Sequence, residues 1–375
     1  MRSTAGLVDA HSHLRSTALA DHGVQGSCLE EALLRMNAMT GVDPYDDALV
    51  AASDHLASGI TGIQVIFHTF GSVDHYLGVL DRTIAGLTKI GIRARITLAI
   101  TDQFEFLPQR TRRALQLPAF INTGAKMAPA DFQNLVERAI KAHPNVAFGI
   151  APVAPQWCSD AMLAAIAELA TDRMWVHTHC LESVLQRTWY EESPIDRLAR
   201  FGLLRANTSL AHAIHLTDRE LDLVAASGTK LVTCPRSNEY LRAGRADLSK
   251  WISRKIDFGI GLDSVAGRES AAEVAARALS DSEALIALTS GGSLAAGVDS
   301  SKDLVTWGDW ENGIADSVSI DGNVIAQGSD SSLAIEVEAA RARITSALAT
   351  DRGQRAARHR ELDQLMPEYL EVIKG

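Results

Sequence analysis

Residues 6–14 read GLVDAHSHL, a short apolar run that ends in two histidines separated by one residue. A run of this length and composition is typical of a buried strand, so the histidines come where the strand should end. A doubly wound sheet that binds a nucleotide would more often carry a glycine-rich phosphate turn at this point. The stretch therefore favours a barrel in which the strand ends carry polar side chains.

Further apolar runs follow along the chain, and together with the first they number eight. They occupy residues 7–11, 61–69, 92–101, 145–153, 173–180, 208–214, 229–235 and 257–264. Several are nearly continuous in Val, Ile, Leu and Ala, which is typical of parallel strands that are covered on both faces. Helical stretches separate many of them, at residues 44–58, 73–89, 129–142, 159–171, 194–201 and 217–226. The alternation predicts an α/β fold, a (β/α)8 TIM barrel over residues 6–300.

The C-terminal segment, residues 301–375, has a different pattern from the barrel. A helical stretch at 270–288 follows the last barrel strand, and two strand-like runs at 317–320 and 324–326 flank an Asp-Gly-Asn turn. Residues 333–374 are rich in Ala, Arg, Glu and Leu and predict a helical tail. We expect a C-terminal helical tail and a reduced β-sandwich remnant that consists of one hairpin.

The composition indicates a globular protein that handles small molecules. The chain has 375 residues and a net charge of −10, whereas contacts with nucleic-acid or lipid phosphates need a basic surface. Its longest apolar runs are shorter than a membrane-spanning helix requires. The four cysteines are scattered without a CxxC pair, which favours a reducing compartment. We therefore expect a small-molecule substrate, no nucleic-acid or membrane partner, a cytoplasmic location and a homo-oligomer.

Imidazole and carboxylate groups recur at the ends of the predicted strands. The carboxyl ends of barrel strands meet at one mouth, and residues two apart in a strand share a face. Four distant segments would thus deliver ligands that suit Zn²⁺ or Fe²⁺. The residues concerned are His11 and His13 on the first strand, His177 and His179 on the fifth, His212 on the sixth and Asp263 on the eighth. The remaining histidines that lack this spacing are expected to be hydrogen-bonded structural residues: His55, His68, His75, His143 and His359.

At these residues the chain resembles the amidohydrolase superfamily. GLVDAHSHL resembles its first-strand signature, HTHCLES (177–183) its fifth-strand HxxE, and LAHAIHLT (210–217) its sixth-strand histidine. CPRSNEYL (234–241) is similar to the PxSN stretch after the seventh strand, and GIGLDS (259–264) to the eighth-strand aspartate. The order of the motifs resembles the aminohydrolase branch, which includes cytosine and guanine deaminases and triazine hydrolases. The resemblance covers about residues 6–300.

The resemblance implies a role for each matching residue. His11, His13, His179 and Asp263 would hold one divalent ion, with Zn²⁺ favoured and Fe²⁺ or Mn²⁺ as alternatives. Glu182 would move the proton, while His212 would contact the substrate or the attacking water. Binuclear members use a carboxylated lysine on the fourth strand, and NVAFGIAPV (145–153) contains no lysine. The resemblance therefore implies a mononuclear site.

These roles predict a hydrolytic deaminase that acts on a C–NH₂ or C=NH centre of a small N-heterocycle or amidine and releases ammonia. Asp263 would orient the attacking water, and Glu182 would protonate the adjacent ring or imine nitrogen. The alternative within enzymes is hydrolysis of an amide, N-formyl or C–halogen bond by the same activated water. A metal-binding scaffold without turnover is the alternative outside enzymes.

Substrate contacts are expected in the loops that follow the strands. Trp157 could stack on a planar ring of the substrate or simply pack within its loop, and Gln156 could read the hydrogen-bonding edge of such a ring. Arg15 lies in the long loop after the first strand, and Glu105 in the loop after the third together with Asp102 and Gln103. His177 could be a substrate contact, a support for a ligand or a core histidine. The residues 236–238 are expected to shape the loop after the seventh strand.

The start of the chain differs from the pattern of the family, whose members usually begin with strands of a small β-sandwich. Here five residues precede GLVDAH. We predict that upstream sequence encodes further strands, with a cover formed by the helical tail as the alternative.

Overall fold

The computed structural model describes residues 2–107, 115–121, 127–264, 270–308, 313–326 and 331–374. The strands within these ranges form two sheets. In chain order they are β1 (Arg2–Ala5), β2 (Leu7–Ser12), β3 (Ile60–Phe67), β4 (Arg93–Ile100), β5 (Ala147–Pro152), β6 (Trp175–Cys180), β7 (Thr208–His212), β8 (Lys230–Thr233), β9 (Phe258–Ile260), β10 (Leu304–Trp307), β11 (Ser317–Ile320) and β12 (Asn323–Ala326).

The larger sheet contains eight strands in the order β2 to β9, and each strand pairs in parallel with the next. Its two ends meet at a bridge between Ser12 and Asp263, so the sheet closes at its carboxyl edge. The predicted TIM barrel and its eight strands are confirmed. The last strand, Phe258–Ile260, is shorter than the expected 257–264, and Asp263 continues the pairing as an isolated bridge to Ser12 of β2.

Helices cover the outside of the barrel, and their starts follow from local side-chain caps. Ser159 and Thr217 accept hydrogen bonds from backbone N–H groups in the first turns of the helices Asp160–Leu169 and Asp218–Ser227, as their positions in the sequence predict. The helices are α1 (Leu29–Met36), α2 (Pro44–Ala57), α3 (Val73–Ile90), α4 (Pro129–Ala142), α5 (Asp160–Leu169), α6 (Val184–Thr188), α7 (Pro194–Arg200), α8 (Asp218–Ser227), α9 (Pro235–Tyr240), α10 (Leu248–Ser253), α11 (Ala271–Ala276), α12 (Asp281–Leu288), α13 (Ser290–Ala296), α14 (Ser331–Thr350) and α15 (Arg352–Lys374).

The stretch 270–288, expected as one helical segment, is divided into α11 and α12. Ser280 and Glu283 form a capping box, which starts a second helix at this point. The helical tail is confirmed as α14 and α15, with a break at Asp351.

The smaller sheet is antiparallel, in the order β1-β10-β11-β12. The expectation of one hairpin is wrong, because β1 and β10 extend the hairpin of β11 and β12 to four strands. Trp307 of β10 is buried, and its indole Nε1 donates to Thr4 Oγ1 of β1 at 3.0 Å. Gly59, between α2 and β3, has φ of 75° and lies against this indole, so a side chain there would collide with it.

The helix α15 packs across loops at the carboxyl end of the barrel. Its buried side chains share a hydrophobic cluster with residues that follow β2, β4 and α6. Tyr369 Oη donates to the carbonyl oxygen of Phe106 at 2.7 Å, and Trp189 Nε1 donates to that of Ile373 at 3.2 Å. Asp363 accepts a hydrogen bond from Arg35 of α1 at 2.8 Å. The tail therefore connects the loops that border the barrel mouth, the edge where the carboxyl ends of β2 to β9 meet.

Among the described residues, the helices are too short or too polar to cross a membrane.

Candidate metal centre and active site

Three histidines and one aspartate meet at the barrel mouth. His11 and His13 lie at the end of β2, His179 lies on β6, and Asp263 follows β9. The Nε2 atoms of His13 and His179 are 3.2 Å apart. Asp263 Oδ1 lies 3.3 Å from His13 Nε2 and 3.7 Å from His11 Nε2. The structure thus brings together the four side chains that the resemblance names as ligands.

The hydrogen bonds of these histidines leave ring nitrogens directed at a common point. His179 Nδ1 lies 2.7 Å from the carbonyl oxygen of Val153, so Nδ1 carries the proton and Nε2 has the free lone pair. His11 Nε2 is buried and has no hydrogen-bond partner. Buried polar atoms rarely stay unsatisfied, and facing lone pairs repel each other unless a cation or proton lies between them. The donor set of three imidazoles and one carboxylate fits Zn²⁺, and equally Fe²⁺ or Mn²⁺.

Burial keeps the ligand histidines in the form that binds metal. Desolvation lowers the pKa of His179 to about 4, and it lowers the pKa of His11 well below the usual range. Desolvation also lowers the pKa of His13, although the charge of Asp263 opposes this shift. Neutral imidazoles are the ligand species, so the site does not have to expel protons before it binds a cation near neutral pH.

His177 lies beneath His11, deeper in the barrel than the ligand atoms. Its Nε2 is 2.7 Å from His11 Nδ1, and its Nδ1 is 2.8 Å from Ser209 Oγ. The side chain is fully buried. This is the position of a group that orients a ligand, one of the alternatives that the sequence leaves open.

Cys234 also lies close to the ligand atoms, and the sequence analysis did not identify it. Its Sγ forms one compact group with His11, His212 and Asp263, in which all ligand atoms lie within 4.8 Å of one another. Burial raises the pKa of this thiol well above its usual range, which disfavours the thiolate that binds metals. The CPRSN motif was the available signal, because it places Cys234 at the end of β8.

Glu182 and His212 stand beside the ligands on the same side of the mouth. His212 Nε2 lies 3.6 Å from Glu182 Oε2 and 3.7 Å from Asp263 Oδ2. The other ring nitrogen, Nδ1, lies 2.8 Å from Asn238 Oδ1, which accepts its proton. Asn238 therefore holds His212 with its Nε2 lone pair toward the mouth, a role beyond the predicted shaping of the loop after the seventh strand.

Burial changes the acidity of Glu182. It raises the pKa of Glu182 to about 7, while His212 opposes the shift and Asp263 adds to it. A carboxyl group with such a pKa can give and take a proton near neutral pH.

Backbone strain accompanies these side chains. Leu181, His212 and Asp263 all have positive φ, of 48°, 68° and 61°. This conformation is uncommon for residues other than glycine and costs on the order of 1–2 kcal/mol each. The turns direct the side chains that follow β6, β7 and β9 toward the mouth, and such strain is frequent at functional sites.

The predicted substrate contacts Gln156 and Trp157 lie between β5 and α5, and Arg15 lies after β2. Gln156 is only 2% exposed, yet neither atom of its amide has a hydrogen-bond partner. The ring of Trp157 lies 6.5 Å from that of His179, and its Nε1 is also without a partner. Arg15 Nη1 lies 3.6 Å from Met39 Sδ, while its Nε is buried without a partner.

The histidines expected to be structural behave differently from one another. His55, His143 and His359 form hydrogen bonds, to Asp9, Asp81 and the carbonyl oxygen of His22 respectively. For His68 the expectation is wrong, because its buried Nε2 has no hydrogen-bond partner and lies 3.5 Å from Glu105 Oε1. The missed signal was its place directly after β3, at the level of the other strand-end residues.

Comparison with known proteins agrees with this architecture. The chain is 26% identical over 270 residues to 5-methylthioadenosine/S-adenosylhomocysteine deaminase 2 of Archaeoglobus fulgidus. That alignment covers 70% of this chain and 59% of the relative, so the match spans less than two thirds of the relative's length.

Two solved structures share the fold. A triazine hydrolase variant has a TM-score of 0.72 at 19% identity, with 92% of this chain and 87% of that chain covered. An adenosine deaminase from Xanthomonas campestris with bound zinc has a TM-score of 0.71 at 21% identity, with 92% of this chain and 86% of that chain covered.

The sequence profile of the Amidohydrolase family matches residues 3–339. This match includes the whole barrel, the strand-end histidines and Asp263. The chain is therefore an enzyme of the Amidohydrolase family.

Proposed function

We propose that this chain is a mononuclear metal-dependent deaminase that releases ammonia from a C–NH₂ or C=NH centre of a small N-heterocycle or amidine. The observation that carries the proposal is the meeting of four ligand side chains with Glu182 and His212 at one point of the barrel mouth. In this proposal His11, His13, His179 and Asp263 hold one Zn²⁺, with Fe²⁺ or Mn²⁺ as alternatives. A divalent ion would lower the pKa of water at this site and so provide the nucleophile near neutral pH.

The residues around the ligands would then perform the proton transfers. Asp263 orients the attacking water through the carboxylate oxygen that faces His212. Glu182 gives its proton to the ring or imine nitrogen next to the attacked carbon. It then takes the proton of the hydroxyl group that the added water leaves on that carbon and delivers it to the amino group, which leaves as ammonia while the carbonyl forms. His212 faces the oxygen that gains negative charge and stabilises that charge.

A single ion is proposed because the chain lacks the residue that would bridge a second one. Strand β5 has the sequence AFGIAP, without a lysine, and Lys141 lies on α4 outside the barrel. The relatives support the choice of substrate class, since the Archaeoglobus relative is a deaminase of adenosine derivatives by name. The proposal takes the substrate as a small molecule and the chain as a cytoplasmic homo-oligomer.

The test compares zinc-loaded wild type with Glu182→Gln. We expect both proteins to hold the metal, because Glu182 is not a ligand in the proposal. Turnover should fall by about 10² or more in the variant, since glutamine keeps the shape of glutamate and cannot transfer its proton. The measurement is ammonia release from purines, pyrimidines, triazines, pterins and formimino compounds, with zinc content determined on the same samples.

Glu361→Gln, on an exposed face of α15, is the matched control for the loss of a carboxylate. Near-normal turnover in Glu182→Gln would remove Glu182 from the mechanism. Release of formate, another carboxylate or halide in place of ammonia would establish the alternative hydrolysis. The absence of any product from every compound would favour a scaffold without turnover.

A further inference from the structure

The barrel mouth contains a second group of polar side chains that the proposed chemistry does not use. They are His68 after β3, Glu105 after β4 and Gln156 after β5. Each has buried polar atoms without a hydrogen-bond partner: His68 Nε2, Glu105 Oε1 and both amide atoms of Gln156. Buried polar atoms in folded proteins nearly always have partners. Three such residues, which follow three adjacent strands, therefore indicate that a bound molecule supplies the missing hydrogen bonds.

His68 and Glu105 face each other at ion-pair distance without forming a hydrogen bond. Their Nε2 and Oε1 atoms are 3.5 Å apart, and neither makes a hydrogen bond. Desolvation raises the pKa of Glu105 to about 8 and lowers that of His68 to about 3. Near neutral pH the pair is thus a carboxylic acid opposite a neutral imidazole.

The group lies close to the metal ligands. His68 lies near enough to His13 and His179 for charges on these side chains to interact. The indole of Trp157, next to Gln156, is 6.5 Å from the ring of His179. A small molecule held at the metal ligands can therefore reach His68, Glu105 and Gln156 with its far end.

The donors and acceptors of the three side chains limit what can bind there. A carboxylic acid, a neutral imidazole and a primary amide each offer both a donor and an acceptor. A phosphate or carboxylate group offers acceptors alone, and an ammonium group offers donors alone, so each would leave some of these atoms unsatisfied. A hydroxyl group or the –NH–C=O edge of a ring offers both a donor and an acceptor, and so matches the three side chains.

We infer that His68, Glu105 and Gln156 form a recognition subsite for an uncharged donor-and-acceptor group of the substrate, distant from the carbon that is attacked. The inference rests on the proposed function, which places the reacting end of the substrate at the metal ligands and its far end at these three side chains. The group is either a sugar hydroxyl or a ring amide edge, and the experiment separates these two sources.

The test measures binding and turnover with adenosine, adenine, guanine and adenosine 5′-monophosphate. Binding is measured by calorimetry on the zinc-loaded Glu182→Gln protein, which turns substrate over slowly, and turnover by ammonia release from wild type. A preference for adenosine over adenine assigns the subsite to a sugar hydroxyl, and a preference for guanine over adenine assigns it to a ring amide edge. The preferred compound should bind about tenfold more tightly than adenine, the scale of one or two hydrogen bonds. The monophosphate should bind more weakly than adenosine.

Variants of Glu105 supply the decisive comparison. In Glu105→Ala the preferred compound should bind no more than about threefold more tightly than adenine, and the zinc content should be unchanged. Glu105→Gln keeps a donor and an acceptor without a charge, so it should retain most of the preference. Glu361→Gln should retain all of it.

The outcomes separate the inference from the proposed function. Ammonia release with preferences that Glu105→Ala does not alter would overturn the subsite and leave the deaminase proposal standing. Binding with a Glu105-dependent preference, but without ammonia release in wild type, would overturn the deaminase proposal and support the subsite. Tighter binding of the monophosphate than of adenosine, or no binding of any compound, would overturn the subsite.

Discussion

Glu105 should make the stability of the protein depend on pH. Its pKa is raised by burial from an ordinary value of 4.5 to about 8 in the folded chain. Between these values the native state retains a proton that the unfolded chain has released, so the free energy of unfolding falls as the pH rises. Below pH 4.5 this contribution to stability is fully present, and above about pH 8 it is lost.

The magnitude follows from the size of the shift. Each pH unit between the two pKa values costs about 1.4 kcal/mol, so two units, from pH 5.5 to 7.5, cost about 3 kcal/mol. The side chain is only 16% exposed, so solvent screens this effect little. Glu105→Gln removes the titrating group and retains the shape. The stability of this variant relative to wild type should therefore increase by about 3 kcal/mol across that interval.

The assay is urea unfolding of zinc-loaded wild type and Glu105→Gln at 25 °C, at several pH values from 5.5 to 7.5. The difference between the two proteins isolates Glu105 from the other titrating groups, and Glu361→Gln controls for the removal of a carboxylate elsewhere. Stability curves of wild type and Glu105→Gln that run parallel within 0.5 kcal/mol would show that the Glu105 carboxyl group is solvated in the native state, contrary to this reasoning.

Two further predictions concern the metal. His177→Phe keeps an aromatic ring beneath His11 and removes its hydrogen bond, so zinc affinity should fall about 10- to 100-fold in chelator competition, and an unchanged affinity would exclude a positioning role for His177. Elemental analysis of the zinc-loaded chain should give one ion per chain, because the two groups of possible ligands among the described residues share His11 and so belong to one centre. Activity that requires two ions would contradict the mononuclear site.

The convergence of the residues of the candidate centre could be predicted from barrel geometry, and the choice of four ligands among them is what the family resemblance implies. In a closed parallel sheet the carboxyl ends of all strands meet, so His11, His179 and Asp263 converge although they lie far apart in the chain. The HxH spacing also predicts that His11 and His13 point to the same face of the first strand, because residues two apart in a strand share a face. Neither conclusion needs any knowledge of the loops.

The parts that escaped prediction depend on contacts between distant segments. Strand β1 has four residues and exists because β10, about 300 residues later, pairs with it. The pairing of His68 with Glu105 depends on how the loop after β4 is held, and that loop packs against α15. Local sequence patterns carry no information about such partners.

The contact between Tyr369 and Phe106 links the inferred recognition subsite to the last helix of the described chain. Glu105 precedes Phe106, whose carbonyl oxygen is held by a helix that follows every strand of the barrel. During synthesis the proposed ligand residues therefore leave the ribosome before the helix that holds the loop of Glu105. We expect mutations on the buried face of α15 to move this loop, and thereby to change the selectivity of the inferred subsite, without altering a residue of the proposed chemistry.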